Sequence, residues 1–265
     1  MNEALLLGAV GALAGLLAGL LGIGGGIVLV PALIFLFESR NVAPEVVAQL
    51  AVGTSLASII FTASASAWAH HRRGNVDWKI VFAMAPFIVI GTQVGALLAG
   101  AIQGGALKRL FGLFELLVAA RMLWAFEPGP KGPPVSPLLL YSLGGLGIGI
   151  VSSLFGIGGG TLTVPLLVYL LDRPIQTAVG TSSAQGIVIA LFGAIGFIYQ
   201  GRGLPALPPG ASGYVLPSAA LLIAAASAAV APIGALLAHR VNPAALTRAF
   251  GLLLIWVGLR LLGLA

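Results

Sequence analysis

Along this chain the charged positions are so sparse that they act as punctuation. No Asp, Glu, Lys or Arg occurs in 4–37, 46–71, 80–107, 132–171, 174–201 or 203–239. An apolar run of roughly 18 or more residues can cross a bilayer as a helix. A transmembrane barrel would show short alternating segments instead. The pattern therefore predicts an all-α polytopic membrane protein. The segments it marks are 4–21, 26–37, 43–70, 78–101 and 107–126, then 137–155, 160–171, 175–200, 213–239 and 244–263. The second segment of each set is short. Twelve residues at ~1.5 Å each cover roughly 18 Å of a ~30 Å hydrocarbon core.

The two sets repeat one another. Gly22-Ile23-Gly24-Gly25-Gly26 with Val30-Pro31 returns as Gly156-Ile157-Gly158-Gly159-Gly160 with Val164-Pro165. Gly53-Thr54-Ser55 returns as Gly180-Thr181-Ser182, and Phe111-Gly112-Leu113 as Phe250-Gly251-Leu252. At the last offset Arg121 falls on Arg260, while Glu115 falls on Leu254. The chain divides into a membrane repeat at 1–126, a Pro/Gly linker at 127–136 that cannot continue a helix, and a second repeat at 137–265. An odd number of crossings per half makes the halves inverted and an even number makes them parallel. The Lys/Arg distribution barely separates the two. Inversion is expected, because paired broken helices near the midplane commonly occur in inverted repeats.

Composition sharpens this picture. Hydrophobic residues make up 59% of the 265 and charged residues 8%, against about 25% charged in soluble domains. The net charge of +6 comes from Lys and Arg at the ends of apolar runs. It reads as topology signalling and not as a nucleic-acid surface. With no cysteine, thiol and iron–sulfur chemistry are excluded. The start, Met1-Asn2-Glu3-Ala4, lacks the basic residues of a cleavable signal peptide, so Leu5 onward is expected as a retained first helix. No metal-ligand pattern, nucleophile motif or ATP-binding motif is present, so neither an enzyme nor a cofactor is expected.

The candidate chemistry lies at the duplicated glycines. A backbone broken inside a bilayer must be buried in protein or line a cavity. The helix starts after such breaks carry free N–H groups and a positive dipole end, and glycines let an anion approach them. The expected substrate-binding residues are Gly22, Gly24, Gly25 and Gly26 with Gly158, Gly159, Gly160 and Thr161. The hydroxyls of Thr54, Ser55, Thr181 and Ser182 and the amide of Gln185 are candidate donors. Neither glycine run is a dinucleotide fingerprint, since Ile27 and Thr161 stand where a third glycine is needed. Gly8, Gly11, Gly15 and Gly19 read as helix-packing positions, and Gly11, in an intact helix, is expected to accept alanine. Glu115, eight residues into its segment, is an intramembrane ionisable group and so a functional candidate. Arg121 and Arg260, near helix ends, suit snorkelling to the interface. Asp77 and Trp78 look like an interface anchor.

The repeated Gly-Ile-Gly-Gly-Gly-x-x-x-Val-Pro, the Gly-Thr-Ser after each copy and Gly-Asn-Val-Asp-Trp at 74–78 together resemble the TauE/SafE family of sulfite exporter-like membrane permeases. The resemblance covers nearly the whole chain. It implies a multi-pass permease of a prokaryotic inner membrane, with sulfite, organosulfonates or other small organic anions as substrates. One departure is that Gly201-Arg202-Gly203-Leu204-Pro205 stands where the first half has its Val-Asp-Trp anchor. The expected function is secondary transport of a small anion by rocking of one repeat against the other. An anion channel and a non-transporting membrane scaffold are the alternatives. The expected partners are the anion and the lipid bilayer, with no nucleic acid. The sequence leaves open whether the chain forms a homo-oligomer.

Overall fold

The computed structural model of the chain describes residues 3–21, 25–124, 136–238 and 243–264. Of the expected linker at 127–136, only Ser136, the N-cap of α6, lies among these residues. The described chain is a bundle of helices: α1 Glu3–Leu21, α2 Gly26–Ser39, α3 Val47–His71, α4 Trp78–Ala101, α5 Gly104–Leu123, α6 Pro137–Phe155, α7 Gly160–Leu170, α8 Ile175–Gln200, α9 Pro217–Ala238 and α10 Pro243–Leu262. Among the described residues no strand occurs, only one bridge between Ser212 and Val215. Five helices, α3, α4, α6, α8 and α10, are long and apolar enough to cross a membrane. Exposed Leu97, Leu117, Leu143, Leu221 and Leu252 give the bundle an apolar exterior, the surface a lipid solvent favours. This is an all-α polytopic membrane protein.

The main helix contacts correspond when the two sets of five are exchanged. Helix α1 packs on α9 as α6 packs on α4, and α3 packs on α9 as α8 packs on α4. The pairs α2–α3 and α7–α8 correspond in the same way, and α3–α8 and α5–α10 each join corresponding helices. The direction of these last pairs can be read from their contacts. On α3 and α8, Gly53 meets Phe197, Leu56 meets Gly193, Ala63 meets Gly186, and the Ser66 and Ser183 hydroxyls lie 3.0 Å apart. One number rises as the other falls, so α3 and α8 run antiparallel. On α5 and α10, Gly112 meets Gly258 while Leu123 meets Gly251, so that pair is antiparallel as well.

Small residues make the close contacts, as they do where helices associate without a hydrophobic drive. A Cβ on Gly149 of α6 would sit 2.5 Å from the Ile88 carbonyl oxygen of α4. Gly11 and Gly15 of α1 abut the α9 backbone at Ile223 and Ser227, whereas Gly8 has open space. The expectation that Gly11 accepts alanine fails for this reason, because an added Cβ would lie 2.7 Å from the Ile223 oxygen.

Two further differences from the sequence reading have local causes. Helix α3 begins at Val47 and not at 43, because residues 44–46 form a turn. Helix α9 begins at Pro217 and not at 213, because Gly213 takes a left-handed conformation, φ 58°, to turn the chain toward α3. That turn matches the one at Gly74, φ 71°. The Asn75 carbonyl lies over Gly180 of α8, and the Tyr214 carbonyl lies over Gly53 of α3. The counterpart of Gly74–Trp78 is therefore Gly213–Pro217, and 201–212 is an insertion. The alignment with Gly201-Arg202-Gly203 is corrected accordingly.

The same contacts explain the duplicated Gly-Thr-Ser. A side chain at Gly53 or Gly180 would strike the carbonyl that crosses it. The Thr54 hydroxyl accepts from the Leu216 N–H at 3.0 Å, and the Thr181 hydroxyl accepts from the Asp77 N–H at 2.9 Å. Each repeat thus holds the turn that opens a helix of the other. Asp77 caps α4 through the Ile80 N–H and pairs with Arg173 at 3.2 Å. Trp78 donates to His71 at 3.1 Å.

Loss of a partner for a buried N–H costs about 1–3 kcal/mol. Thr54→Val should therefore lower the thermal midpoint of the detergent-solubilised protein. Thr181→Val should lower it less, because Asp77 is only half-buried. Equal midpoints for Thr54→Val and wild type in a melting curve would remove Thr54 from this role.

Candidate substrate site

The second glycine break is formed by backbone that only glycine adopts easily. Helix α6 ends at Gly156, whose φ of 65° closes a left-handed cap in which the Ile157 N–H donates to the Ser152 carbonyl at 2.9 Å. Gly159, φ 79°, starts α7 with no side-chain cap. Pro165 lacks an N–H, and the helix widens to a π turn over Leu166–Leu170. Helix α2, by contrast, continues through Pro31 to Ser39.

The two breaks meet. A Cβ on Gly26 would lie 2.5 Å from the Gly156 carbonyl oxygen and 2.8 Å from the Ile157 Cα. The Ser55 hydroxyl of α3 donates to the same Gly156 carbonyl at 2.9 Å. Helix α8 closes the other side: Gly186 packs on the Gly158 carbonyl, and Ile189 lies against Gly159. Of the residues expected from sequence, Gly26, Ser55, Gly158, Gly159, Gly160, Thr161 and Gln185 belong to this region. Gly22 and Gly24 lie outside the described residues. Thr54 and Thr181 face the turns described above. Ser182 is buried one position along from Thr181.

The breaks are not alike. Gly25, the counterpart of Gly159, has φ −73°, and a Cβ there would meet nothing closer than 3.6 Å. On the first side the tight position is Gly26. The polar lining is equally one-sided. Five buried atoms near the second break have no hydrogen-bond partner: the Ser152, Ser153, Thr161 and Thr163 hydroxyls and the Gln185 Oε1. The Gln185 Nε2 contacts the Met84 sulfur at 3.2 Å. At the motif offset the first half has Ala18, Gly19, Ile27 and Leu29 in place of the four hydroxyl residues. Ser152, Ser153 and Thr163 were not singled out from sequence. The available signal was a polar residue within one turn of the break in a charge-free run.

Orphaned buried hydroxyls are rare, and each calls for an explanation. A hydroxyl can donate to an anion while still accepting, and an amide can turn its NH2 toward one. No cluster of carboxylates or imidazoles that could hold a metal occurs among the described residues. The arrangement offers donors and backbone N–H groups, with no fixed charge.

The glycines give a direct check. Gly26→Ala forces the two breaks apart, and Gly159→Ala is strained by its positive φ. Each should cost about 1–3 kcal/mol, while Gly25→Ala should leave the thermal midpoint near wild type. A midpoint for Gly26→Ala as high as that of Gly25→Ala would contradict the contact between the breaks.

Comparison with known proteins identifies the family of the chain. The sulfite exporter TauE/SafE family matches residues 7–261. A "Probable membrane transporter protein" of Haemophilus influenzae is 34% identical over 252 residues, covering 95% of each chain. The "Probable membrane transporter protein YunE" of Bacillus subtilis is 30% identical, covering 72% of this chain and 77% of its own. A "Probable membrane transporter protein" of Methanocaldococcus jannaschii is also 30% identical, over 71% and 70%. No solved structure matches. The chain is a membrane transporter and belongs to the sulfite exporter TauE/SafE family.

Proposed function

We propose that this transporter is a secondary permease for small oxyanions such as sulfite or an organosulfonate, in a prokaryotic inner membrane, and that the anion seats at the second glycine break. The observation that carries this reading is the set of five orphaned polar atoms around Gly156–Gly160. A tetrahedral oxyanion needs several donors converging from different directions. Ser152 and Ser153 come from the end of α6, Thr161 and Thr163 from the start of α7, and Gln185 from α8. The uncapped start of α7 adds backbone N–H groups and a positive dipole end. A cation would find no charged partner there.

Two features support alternating access between two inverted repeats. Gly26 against Gly156 closes the space between the breaks, which suits a gated site better than an open channel. The antiparallel course of α3 and α8 is what a two-fold axis in the membrane plane produces, since both are long enough to span. A two-fold axis along the membrane normal would make corresponding spans parallel.

Two experiments test these points. In proteoliposomes, wild type should take up radiolabelled sulfite or methanesulfonate with saturation. Thr161→Val or Ser153→Ala should weaken apparent affinity by about tenfold or more, because a hydrogen bond to a charged group is worth about 1.5–3 kcal/mol. Unchanged affinity in both variants would move the site elsewhere. For topology, Arg73→Cys and Arg202→Cys place thiols after corresponding helices in a chain with no cysteine. An impermeant maleimide should label them from opposite sides of the membrane, and labelling from one side would refute the inversion.

A further inference from the structure

Glu115 has no part in the site described above, yet it is the charged side chain most deeply enclosed among the described residues, at 0% exposure. It lies on the buried stripe Leu107, Phe111, Glu115, Ala119 of α5. Neither carboxylate oxygen has a hydrogen-bond partner. The antiparallel register of α5 and α10, with Gly112 and Leu116 against Gly258, sets Glu115 near Val257 and Gly258, both buried, and its own counterpart in the repeat is the buried Leu254.

The charged groups on the packed elements stand away from it. On α5, Arg109 and Arg121 are each six residues distant, about 9 Å along the axis and turned to another face, and both are exposed. Lys108 is paired with Glu38. On α10, Arg248 and Arg260 lie toward the two ends and are exposed. Helix α3 meets α5 near its start, where Gln49 bonds the Ala99 and Ile102 carbonyls; its His70 and His71 are at the far end. Helix α6 contributes Phe155 to this contact, and its one ionisable group, Tyr141, is near its start.

An ionised carboxylate with no partner is far costlier to bury than the neutral acid, so this packing suits a carboxyl that holds its proton. A sodium ion would need several oxygen ligands, and the buried face of α5 offers no other side-chain oxygen. The adjoining turn of α5 also touches the end of α6. Phe111 meets the Phe155 ring edge-on at 5.9 Å, and Phe114 stacks on it at 4.5 Å. Phe155 is the residue immediately before Gly156.

We propose that Glu115 is a proton-binding site that couples proton movement to anion movement, with the aromatic contact at Phe155 linking the carboxyl to the second glycine break. This rests on the permease reading given above. When the break rearranges and water reaches α5, the carboxyl O–H bond breaks, the proton passes to water and the carboxylate remains. Reprotonation reverses the step, and no electrons move. An anion and a proton crossing together in the same direction carry no net charge, which suits a site without a fixed cation.

The test uses proteoliposomes and methanesulfonate, the anion of a strong acid whose own charge is constant over the pH values used. Glu115→Gln mimics the protonated form but cannot release a proton. Wild type should show net uptake accelerated by an acid-outside gradient, with co-transported protons recorded by a trapped pH dye. Glu115→Gln should lose that acceleration and the proton signal, yet retain exchange of labelled for unlabelled methanesulfonate. Glu115→Asp, which keeps a titratable group, should recover part of the gradient response. In infrared spectra a protonated-carboxyl stretch present in wild type should disappear in Glu115→Gln. Equal gradient responses in wild type and Glu115→Gln, or no such band in wild type, would overturn the proton site and leave the permease reading intact. Absence of exchange in wild type would overturn the permease reading, and the coupling with it.

Discussion

The fold turns on one constraint: backbone N–H and C=O groups interrupted inside an apolar bundle find partners only within the protein. Every distinctive contact near the centre answers it. The Gly156 carbonyl, freed by the end of α6, accepts from Ser55 on the opposite repeat. The Leu216 and Asp77 N–H groups, exposed where α9 and α4 begin, are taken by Thr54 and Thr181. In each case the partner comes across the interface between the two sets of helices. The breaks therefore depend on the two sets of helices staying packed together.

Symmetry accounts for the scaffold, and departures from it account for the chemistry. The turns docked on Gly53 and Gly180 are near copies, as are the antiparallel pairs α3–α8 and α5–α10. These are packing solutions that work equally well twice. The hydroxyls at Thr161 and Thr163 have Ile27 and Leu29 as counterparts, so the polar groups lie at one break and not at both. Glu115, whose counterpart in the second repeat is Leu254, is the same kind of departure. A matched pair of polar residues could satisfy each other, whereas Glu115, with an apolar counterpart, has no hydrogen-bond partner.

Much of the scaffold was legible in the sequence, because in a membrane chain absence of charge is itself the signal. The charge-free runs marked eight of the helices to within a few residues, α5 and α10 were marked by apolar stretches with sparse charges, and Gly-Ile-Gly-Gly-Gly marked the break after α6. What could not be read was which atoms face one another. Thr54 and Ser55 are adjacent and equally polar, yet one holds a turn and the other reaches the break. Gly25 and Gly26 are also adjacent, and only Gly26 is pressed against the other repeat. Both distinctions depend on helical phase relative to a partner distant in the chain. The insertion 201–212 was misaligned because its Gly-Arg-Gly resembles a turn. Gly203 and Gly213 both take a positive φ, and the true counterpart at Gly213 is identified by the Tyr214 carbonyl laid over Gly53.

A proposed anion site with no fixed positive charge has a consequence for turnover. A buried arginine would hold an oxyanion through two parallel, charge-assisted hydrogen bonds, and release would then require separating desolvated charges. Hydroxyls and helix N–H groups supply only partial charges, which water can replace as the site opens. The four arginines of α5 and α10 are exposed at the ends of that pair, where they can attract anions toward the bundle without retaining them. A permease must release what it binds on every cycle, and a lining of neutral donors keeps that release step shallow.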